Sequence, residues 1–410
     1  MRLALLGTLA VSLALADDAL LKKPEVTTAL DYLRANHDRH SAKQIEICEI
    51  PAPTFHEQKR AEFMAAEFRA RKLQDVTIDA QGNVLGWRKG ASPDVFVIAA
   101  HLDISFEPGV DTRVRRAGTR WHAPGIGDDS RGLAAMLALI EALDAGVIRT
   151  RHTLLFVANV GEEGLGDLSG VKYLFQKSPI RSRLKAFISI DGTNPARIVN
   201  GGNGVKRYRV TFTGPGGHSY GNFGRPNAAH ALGRVVAALA DFSVPANPKT
   251  TYNVGKIGGG TTVNAIAEQA SMEVDLRSES PSELDKLELQ FLEAVRTGTA
   301  AENAKRVASG LQITAETKLI GNRPAGVTPP ESAIVKAALW AASATGHQPS
   351  LSSASTDSNL PISLGIPAIT MGGGGRGDNA HSVKEWFDPT DAWKGPQTVL
   401  LTVLVFDSRL

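Results

Sequence analysis

The sequence predicts an α/β protein built on a mixed β-sheet, with a smaller α+β unit inserted into it. Two observations carry this. Four short, continuously apolar runs each end in a polar cluster, and helix-like stretches lie between them. Short β-branched runs of this kind are buried strands of a parallel or mixed sheet. From about residue 204 to 320 the texture changes to alternating strands and two further helices.

The elements follow in order. A helical pattern runs from about 25 to 72, broken at Pro51-Ala52-Pro53. The first apolar run, VFVIAA (95–100), ends in His101-Leu102-Asp103. GLAAMLALIEALDAG (132–146) is a helix. TLLFVANV (153–160) ends in Gly161-Glu162-Glu163, and AFISI (186–190) ends in Asp191-Gly192. IPAITM (366–371) ends in Gly372 to Gly375. Strands alternating with helices give a layered α/β domain.

In the insert, KRYRVTFTG is a half-exposed strand and a helix follows at 226–241, opened by Pro226 in its first turn. TYNVGKIGGG, ASMEVDLRS, a helix at 281–297 and LQITAETKLI complete a β-α-β-β-α-β order. That order is a ferredoxin-like antiparallel sheet with both helices on one face. The expected division is therefore 1–16, 17–203, 204–321 and 322–410.

Composition bounds the function. At 410 residues the chain exceeds one small domain, and 42% hydrophobic with 21% charged residues is ordinary globular usage. A net charge of +3 and no long basic run argue against a nucleic-acid partner. Met1-Arg2, an apolar stretch and Ala14-Leu15-Ala16 before Asp17-Asp18 fit a secretory leader cleaved after Ala16, hence a secreted or periplasmic protein. The stretch is shorter than the roughly 20 residues a membrane span needs, so no stable span is expected after cleavage. Cys48 is the only cysteine, which excludes an internal disulfide and a Cys-based zinc site. Any metal is held by His, Asp and Glu.

Open α/β sheets bind ligands beyond the carboxyl ends of their strands. Three of the four runs place acids, or a His–acid pair, at that end. His101 offers an imidazole, and Asp103 a carboxylate that can accept the far ring N–H and set the tautomer. Asp128-Asp129 lie in a loop before a helix, where a carboxylate could bridge two ions. Glu162 and Glu163 are adjacent, so one can bind metal while the other takes a proton from the attacking water. Asp191 and His381 complete the set. His37, His40, His56, His122, His152, His230 and His347 lack strand-end context and are expected to be structural or solvent-facing.

The chain resembles the dizinc metallopeptidases that include peptidase T, glutamate carboxypeptidase, acetylornithine deacetylase and aminoacylase. The matching stretches are EIPAPTFHE (49–57), AAHLD (99–103), PGIGDDSRGLAAML (124–137), ANVGEEGLGDLSGVKYL (158–174) and SIDG (189–192). GPGGHSYGNFGRPNAAHAL (214–232), GGGTTVNAIAEQASMEVDLRS (258–278), STDSNLPISLGIPAITMGGGG (355–375) and NAHSVKEW (379–386) follow in order.

The resemblance implies a zinc-exopeptidase-like catalytic domain carrying an inserted lid and dimerisation domain. It implies two divalent ions, zinc with cobalt or manganese as alternatives. His101 and Asp191 would bind one, Glu163 and His381 the other, and Asp128 both, with a cis peptide to Asp129. Glu162 would be the general base and Asp103 would orient His101. His218 in GPGGHS would reach an active site across a homodimer interface and stabilise the oxyanion. Arg277, with Asn264 close by, would clasp a substrate carboxylate, and Gly373 in the glycine loop would let the backbone approach substrate.

Two departures from the family pattern bear on substrate choice: Ser130-Arg131 after Asp128-Asp129, and Ile104-Ser105 after Asp103. The expected partner is a short peptide, cleaved by an exopeptidase or dipeptidase, or an N-acyl amino acid, cleaved by a deacylase with the same machinery. A zinc aminopeptidase without a lid fits less well, because of the insert. A catalytically dead binding protein is disfavoured by the intact ligand set.

Overall fold

The computed structural model describes residues 19–305 and 310–409. The expected leader, 1–16, lies outside the described residues. The chain opens with helices α1 (Pro24–Ala35), α2 (His37–Cys48) and α3 (Gln58–Ala70). Strands β1 (Gln74–Ile78), β2 (Val84–Arg88) and β3 (Ser92–His101) follow, then helix α4 (Ser130–Ala145), β4 (His152–Asn159), β5 (Leu184–Ile190) and β6 (Arg197–Gly202). Next come β7 (Gly204–Thr213), α5 (Ala228–Ala240), β8 (Thr250–Gly259), β9 (Gln269–Ser278), α6 (Pro281–Ala304) and β10 (Thr314–Arg323). The chain closes with α7 (Ala333–Ala344), β11 (Ser350–Ala354), β12 (Ala368–Met371) and α8 (Lys394–Arg409).

The contacts divide the chain into two units, one of residues up to Gly201 together with Val327–Leu410, the other Gly202–Gly326. In the first, a nine-stranded sheet has the order β1-β2-β4-β3-β5-β12-β6, extended by Gly326–Val327, with β11 also paired to β6. β4, β3, β5 and β12 run parallel, while β1, β2 and β6 are antiparallel to their neighbours. The parallel centre is β4-β3-β5. Its strands are buried along almost their whole length, which is why they read as unbroken apolar runs. Leu133, Met136, Leu137 and Ile140 of α4 pack with Phe96, Ile98 and Phe156 in one core.

The second unit is a four-stranded antiparallel sheet of order β8-β9-β7-β10. Alternate residues Val210, Phe212, Met272, Val274 and Leu276 pack with Leu232, Val235, Leu287 and Phe291 of the two helices. The unit runs past the expected boundary at 321, because β10 continues to Arg323 in register with Val205 of β7.

Helix α5 begins at Ala228, not at Pro226. The Asn227 side chain accepts the N–H of Ala229 at 2.9 Å, and that cap sets the start. Strands β1 and β2 were not expected. β1 is mostly exposed and carries no apolar run, so it leaves no local signal.

Candidate metal centre

The parallel strands bring three of the expected ligands to one edge. His101 is the last residue of β3, in register with Asn159 at the end of β4. Glu162 and Glu163 follow β4 by three and four residues, and Asp191 directly follows β5. Asp128 lies just before α4, and His381 in the segment after β12, at φ 62°.

Asp128 stands between the two histidines. Its Oδ1 is 2.9 Å from Nε2 of His101, and its Oδ2 is 3.1 Å from Nε2 of His381. Asp191 Oδ1 is 4.0 Å from His101 Nε2, and Glu163 Oε1 is 2.8 Å from His381 Nε2. Donors around a tetrahedral ion at about 2.0–2.2 Å lie roughly 3.3 Å apart, so this set fits two ions sharing Asp128. His101 also has Asp129 and Asp191 within ligand distance. Asp129 is the poorer donor, because its oxygens already accept the N–H groups of Gly132 (2.9 Å) and His101 (3.1 Å) and cap α4. The Asp128–Asp129 peptide is cis.

The electrostatics are those of a site built for cations. Burial works against charging His101, but its hydrogen bonds to Asp103 and Asp128 prevail and raise its pKa well above the ordinary value. Hydrogen bonds to Asp128 and Glu163 raise His381 to about 11. Burial and the charge of Asp128 push Asp191 up to about 7. Acids crowded this closely need positive charge among them to ionise together.

Asp103 orients more than His101. The ring Nδ1 of His101 lies 3.0 Å from the Asp103 carbonyl oxygen and 3.5 Å from its carboxylate. The carboxylate accepts the N–H groups of Glu162 and Glu163, each at 2.9 Å, and the Thr54 hydroxyl at 2.9 Å. It thus sets Glu162 and Glu163 side by side, both buried.

Several residues here escaped the sequence reading. Glu385 accepts the N–H groups of Gly125 (2.7 Å), Gly127 (2.8 Å) and Asp128 (3.1 Å), fixing the loop that presents Asp128. Arg131, which looked like a determinant of substrate choice, is buried at 1% exposure and donates to the carbonyls of Gly373 and Ala392, each at 2.7 Å. This revises the expectation for Gly373. Its carbonyl is held by Arg131 and its N–H donates to Gly192 at 2.9 Å, so both its backbone groups serve the fold. Gly372, beside it, lines the cleft. Ile104 is fully buried as well, its N–H bonded to Ala52. The other histidines are elsewhere: His152 pairs with Asp407 and His40 with Glu141.

The cleft beside the ligands has a volume of about 310 Å³. Asp128 and Asp191 form one part of its lining, with Asn194, Arg197, Gly372 and Trp386.

His218, Asn264 and Arg277 belong to the second unit. His218 is paired with Ala265 in a short two-stranded ladder, and Ser219 N–H donates to the Asn264 carbonyl at 2.9 Å. The His218 Nδ1 accepts the N–H groups of Tyr220 (3.3 Å) and Gly221 (3.2 Å), so its neutral ring carries the proton on Nε2. Arg277 is not with them, contrary to expectation. It lies eight residues along β9 from Gln269, about 26 Å at ~3.3 Å per residue, and is ion-paired with Asp275 at 2.5 Å.

The profile of peptidase family M20/M25/M40 matches residues 97–404. The chain belongs to this family. As a family member it is a hydrolytic enzyme. It is 27% identical over 338 residues to a Mycobacterium tuberculosis protein provisionally assigned as succinyl-diaminopimelate desuccinylase DapE, covering 80% of this chain and 88% of that one. Its fold matches a tripeptidase from Staphylococcus aureus, with TM-score 0.74, 20% identity and coverage of 91% and 99% of the two chains. It also matches YXEP of Bacillus subtilis, a dinuclear metal-binding peptidase of the same family, with TM-score 0.67, 17% identity and coverage of 92% and 100%.

Proposed function

We propose that this M20 enzyme is an exopeptidase or dipeptidase that cleaves amide bonds of short peptides with two zinc ions, cobalt or manganese being the alternatives. The observation that carries this reading is the division of Asp128, one carboxylate oxygen toward His101 and the other toward His381. His101 and Asp191 would hold one ion, Glu163 and His381 the other, and Asp128 both. When bound, such a pair supplies Lewis acidity toward the scissile carbonyl and acidifies the attacking water. Glu162, anchored through its N–H on Asp103, takes that water's proton and delivers it to the leaving nitrogen. Both reaction partners are held on residues fixed by backbone hydrogen bonds, which keeps their geometry through the reaction.

His218 offers an Nε2–H donor suited to a developing oxyanion. Arg277 lies some 26 Å along β9 from Gln269, while His218 and Asn264 precede that strand in the chain, which argues against one small substrate touching all three on one copy of the unit. This separation supports a homodimer in which unit 202–326 serves as lid and dimerisation domain, two chains contributing to each site. The leader at 1–16 supports export to the periplasm or the exterior. Among the described residues no helix is long and apolar enough to cross a membrane.

A second reading, an N-acyl-amino-acid deacylase, is favoured by the similarity to the DapE-assigned protein. Metal-loaded protein assayed on dipeptides, tripeptides and N-acyl amino acids separates the two. Turnover of peptides is expected. Turnover of acyl substrates alone would replace the first reading with the second. No turnover together with less than one bound ion per chain would favour a binding protein.

A further inference from the structure

Beyond the end of β4, four consecutive backbone N–H groups are each taken by a side-chain oxygen. Val160 N–H donates to Asn83 Oδ1 at 3.1 Å, and Gly161 N–H to Glu57 Oε1 at 3.1 Å. Glu162 and Glu163 N–H donate to Asp103 Oδ1 and Oδ2, each at 2.9 Å. The acceptors come from three places. Asn83 directly precedes β2, Glu57 directly precedes α3, and Asp103 follows β3 by two residues. All three are buried. Buried N–H groups need partners, and here side chains supply what a neighbouring strand would.

The four are not equivalent. Gly161 is the bend of the segment, at φ 64°. A Cβ there would lie 2.2 Å from Ser169 Oγ, so the bend requires glycine. Glycine enters the left-handed region freely but also leaves it freely. The hydrogen bond to Glu57 restrains it. Glu57 is itself fixed at the entry of α3, where its carbonyl accepts the N–H of Ala61 at 2.9 Å. Burial raises the pKa of the Glu57 carboxyl, and the nearby charge of Asp103 raises it further. The segment therefore draws on an oxygen at a set reach rather than on a charge.

We infer that Glu57 is a positioning residue for Glu162, fixing the Gly161 bend from which the proposed base is presented. The inference rests on the reading of Glu162 as that base. Asp103 holds Glu162 and Glu163 alike, whereas Glu57 acts on the residue immediately before Glu162. With Asp103 in place, retracting the Glu57 oxygen loosens the aim of Glu162 and leaves Glu163 its own anchor. Glu57 touches neither substrate nor reacting atoms in this account.

The test separates reach from charge. Glu57→Gln keeps an oxygen at the same reach without the charge. Glu57→Asp keeps the charge and draws the oxygen back by a methylene group. Both are made in the unsubstituted chain and in Glu162→Gln, loaded with zinc. Turnover is measured on alanyl-alanine, or on N-acetylalanine if only that is hydrolysed. Glu57→Asp should lower kcat by about 10–100-fold, with KM and zinc content preserved. Glu57→Gln should stay within about threefold of the unsubstituted chain. On the Glu162→Gln background Glu57→Asp should cost nothing further, because a residue acting through Glu162 has nothing left to position. Hydrogen exchange of the peptide carrying residues 160–163 reads the bend without any assay, and should quicken in Glu57→Asp but not in Glu57→Gln. Unchanged exchange or unchanged kcat in Glu57→Asp overturns the inference. So does a loss in Glu57→Gln as large as in Glu57→Asp, or loss of zinc along with kcat. An equal fall on both backgrounds, the mark of a general structural role, overturns it too. No turnover by the unsubstituted chain, or full turnover by Glu162→Gln, overturns the reading beneath the inference and the inference with it.

Discussion

Glu385 accepts the backbone N–H of Asp128 at 3.1 Å, and the same carboxylate holds Gly125 and Gly127. It is 2% exposed, and burial pushes its carboxyl up to about 7. The loop that presents Asp128 is thus tied to a residue 257 positions further along the chain. Glu385→Gln, which exchanges one of these acceptor oxygens for a donor, should weaken metal binding by about 10–100-fold. Competition with a chelator measures it. Unchanged affinity would mean that the loop holds its shape without Glu385.

Glu162 and Glu163 share an anchor on Asp103 but should respond differently. Glu162→Gln should retain metal and lose turnover by roughly a hundredfold or more. Glu163→Gln should lose metal itself, since Glu163 lies 2.8 Å from His381. Metal analysis beside steady-state assays separates them. Equal metal loss in both would make Glu162 a ligand.

How much of this was legible in the sequence follows from locality. His101, Glu163 and Asp191 could be read because each lies at, or within four residues of, the end of a buried strand, so apolar run and candidate ligand are close in the chain. Asp128 and His381 came with less local context and were sharpened by resemblance. Glu385, Thr54 and the inward role of Arg131 were illegible, because they act through groups far away in sequence. No spacing rule connects Glu385 to Gly125, and only the folded chain brings them together. Arg277 shows the converse. Its motif is intact, yet eight residues of extended strand carry it away from Gln269, the end of β9 that follows Asn264 in the chain.

The histidines imply proton release. In the metal-free protein, hydrogen bonds to Asp128 and Glu163 keep His381 protonated to about pH 11, and His101 is likewise raised, its bonds to Asp103 and Asp128 outweighing burial. Only neutral imidazoles ligate metal, so loading at pH 7 should expel protons and affinity should fall as pH falls. Calorimetry in buffers of different ionisation heat counts them. A binding heat independent of buffer would show that both rings are already neutral.

Glu141 of α4 offers a test away from the site. Burial opposes its charge, but hydrogen bonds from His40 and Arg39, and the charge of Arg71, hold its carboxyl well below the usual range. A depressed carboxyl stabilises the fold above its unfolded pKa of about 4.3, and that contribution is lost as pH falls toward the folded value. Glu141→Gln should lower Tm by about 2–4 °C at pH 7. The difference from the unsubstituted chain should shrink below about pH 4. A gap of constant size down to pH 3 would mean that packing, not charge, is what Glu141 contributes.

If His218 acts on a neighbouring chain, His218→Ala should retain metal but lose activity, and mixing it with inactive Glu162→Gln should restore part of it. In mixed dimers one of the two sites combines an intact Glu162 with the partner's intact histidine. No recovery after exchange of subunits would place His218 in the site of its own chain.

The central claim is a shared Asp128 between two ions, and the metal content of the purified enzyme tests it most directly. Dialysed at neutral pH against trace zinc and measured by mass spectrometry, the chain should hold two ions, and Asp128→Asn should hold fewer than one firmly. A single ion per chain, or two ions undisturbed by Asp128→Asn, would contradict it.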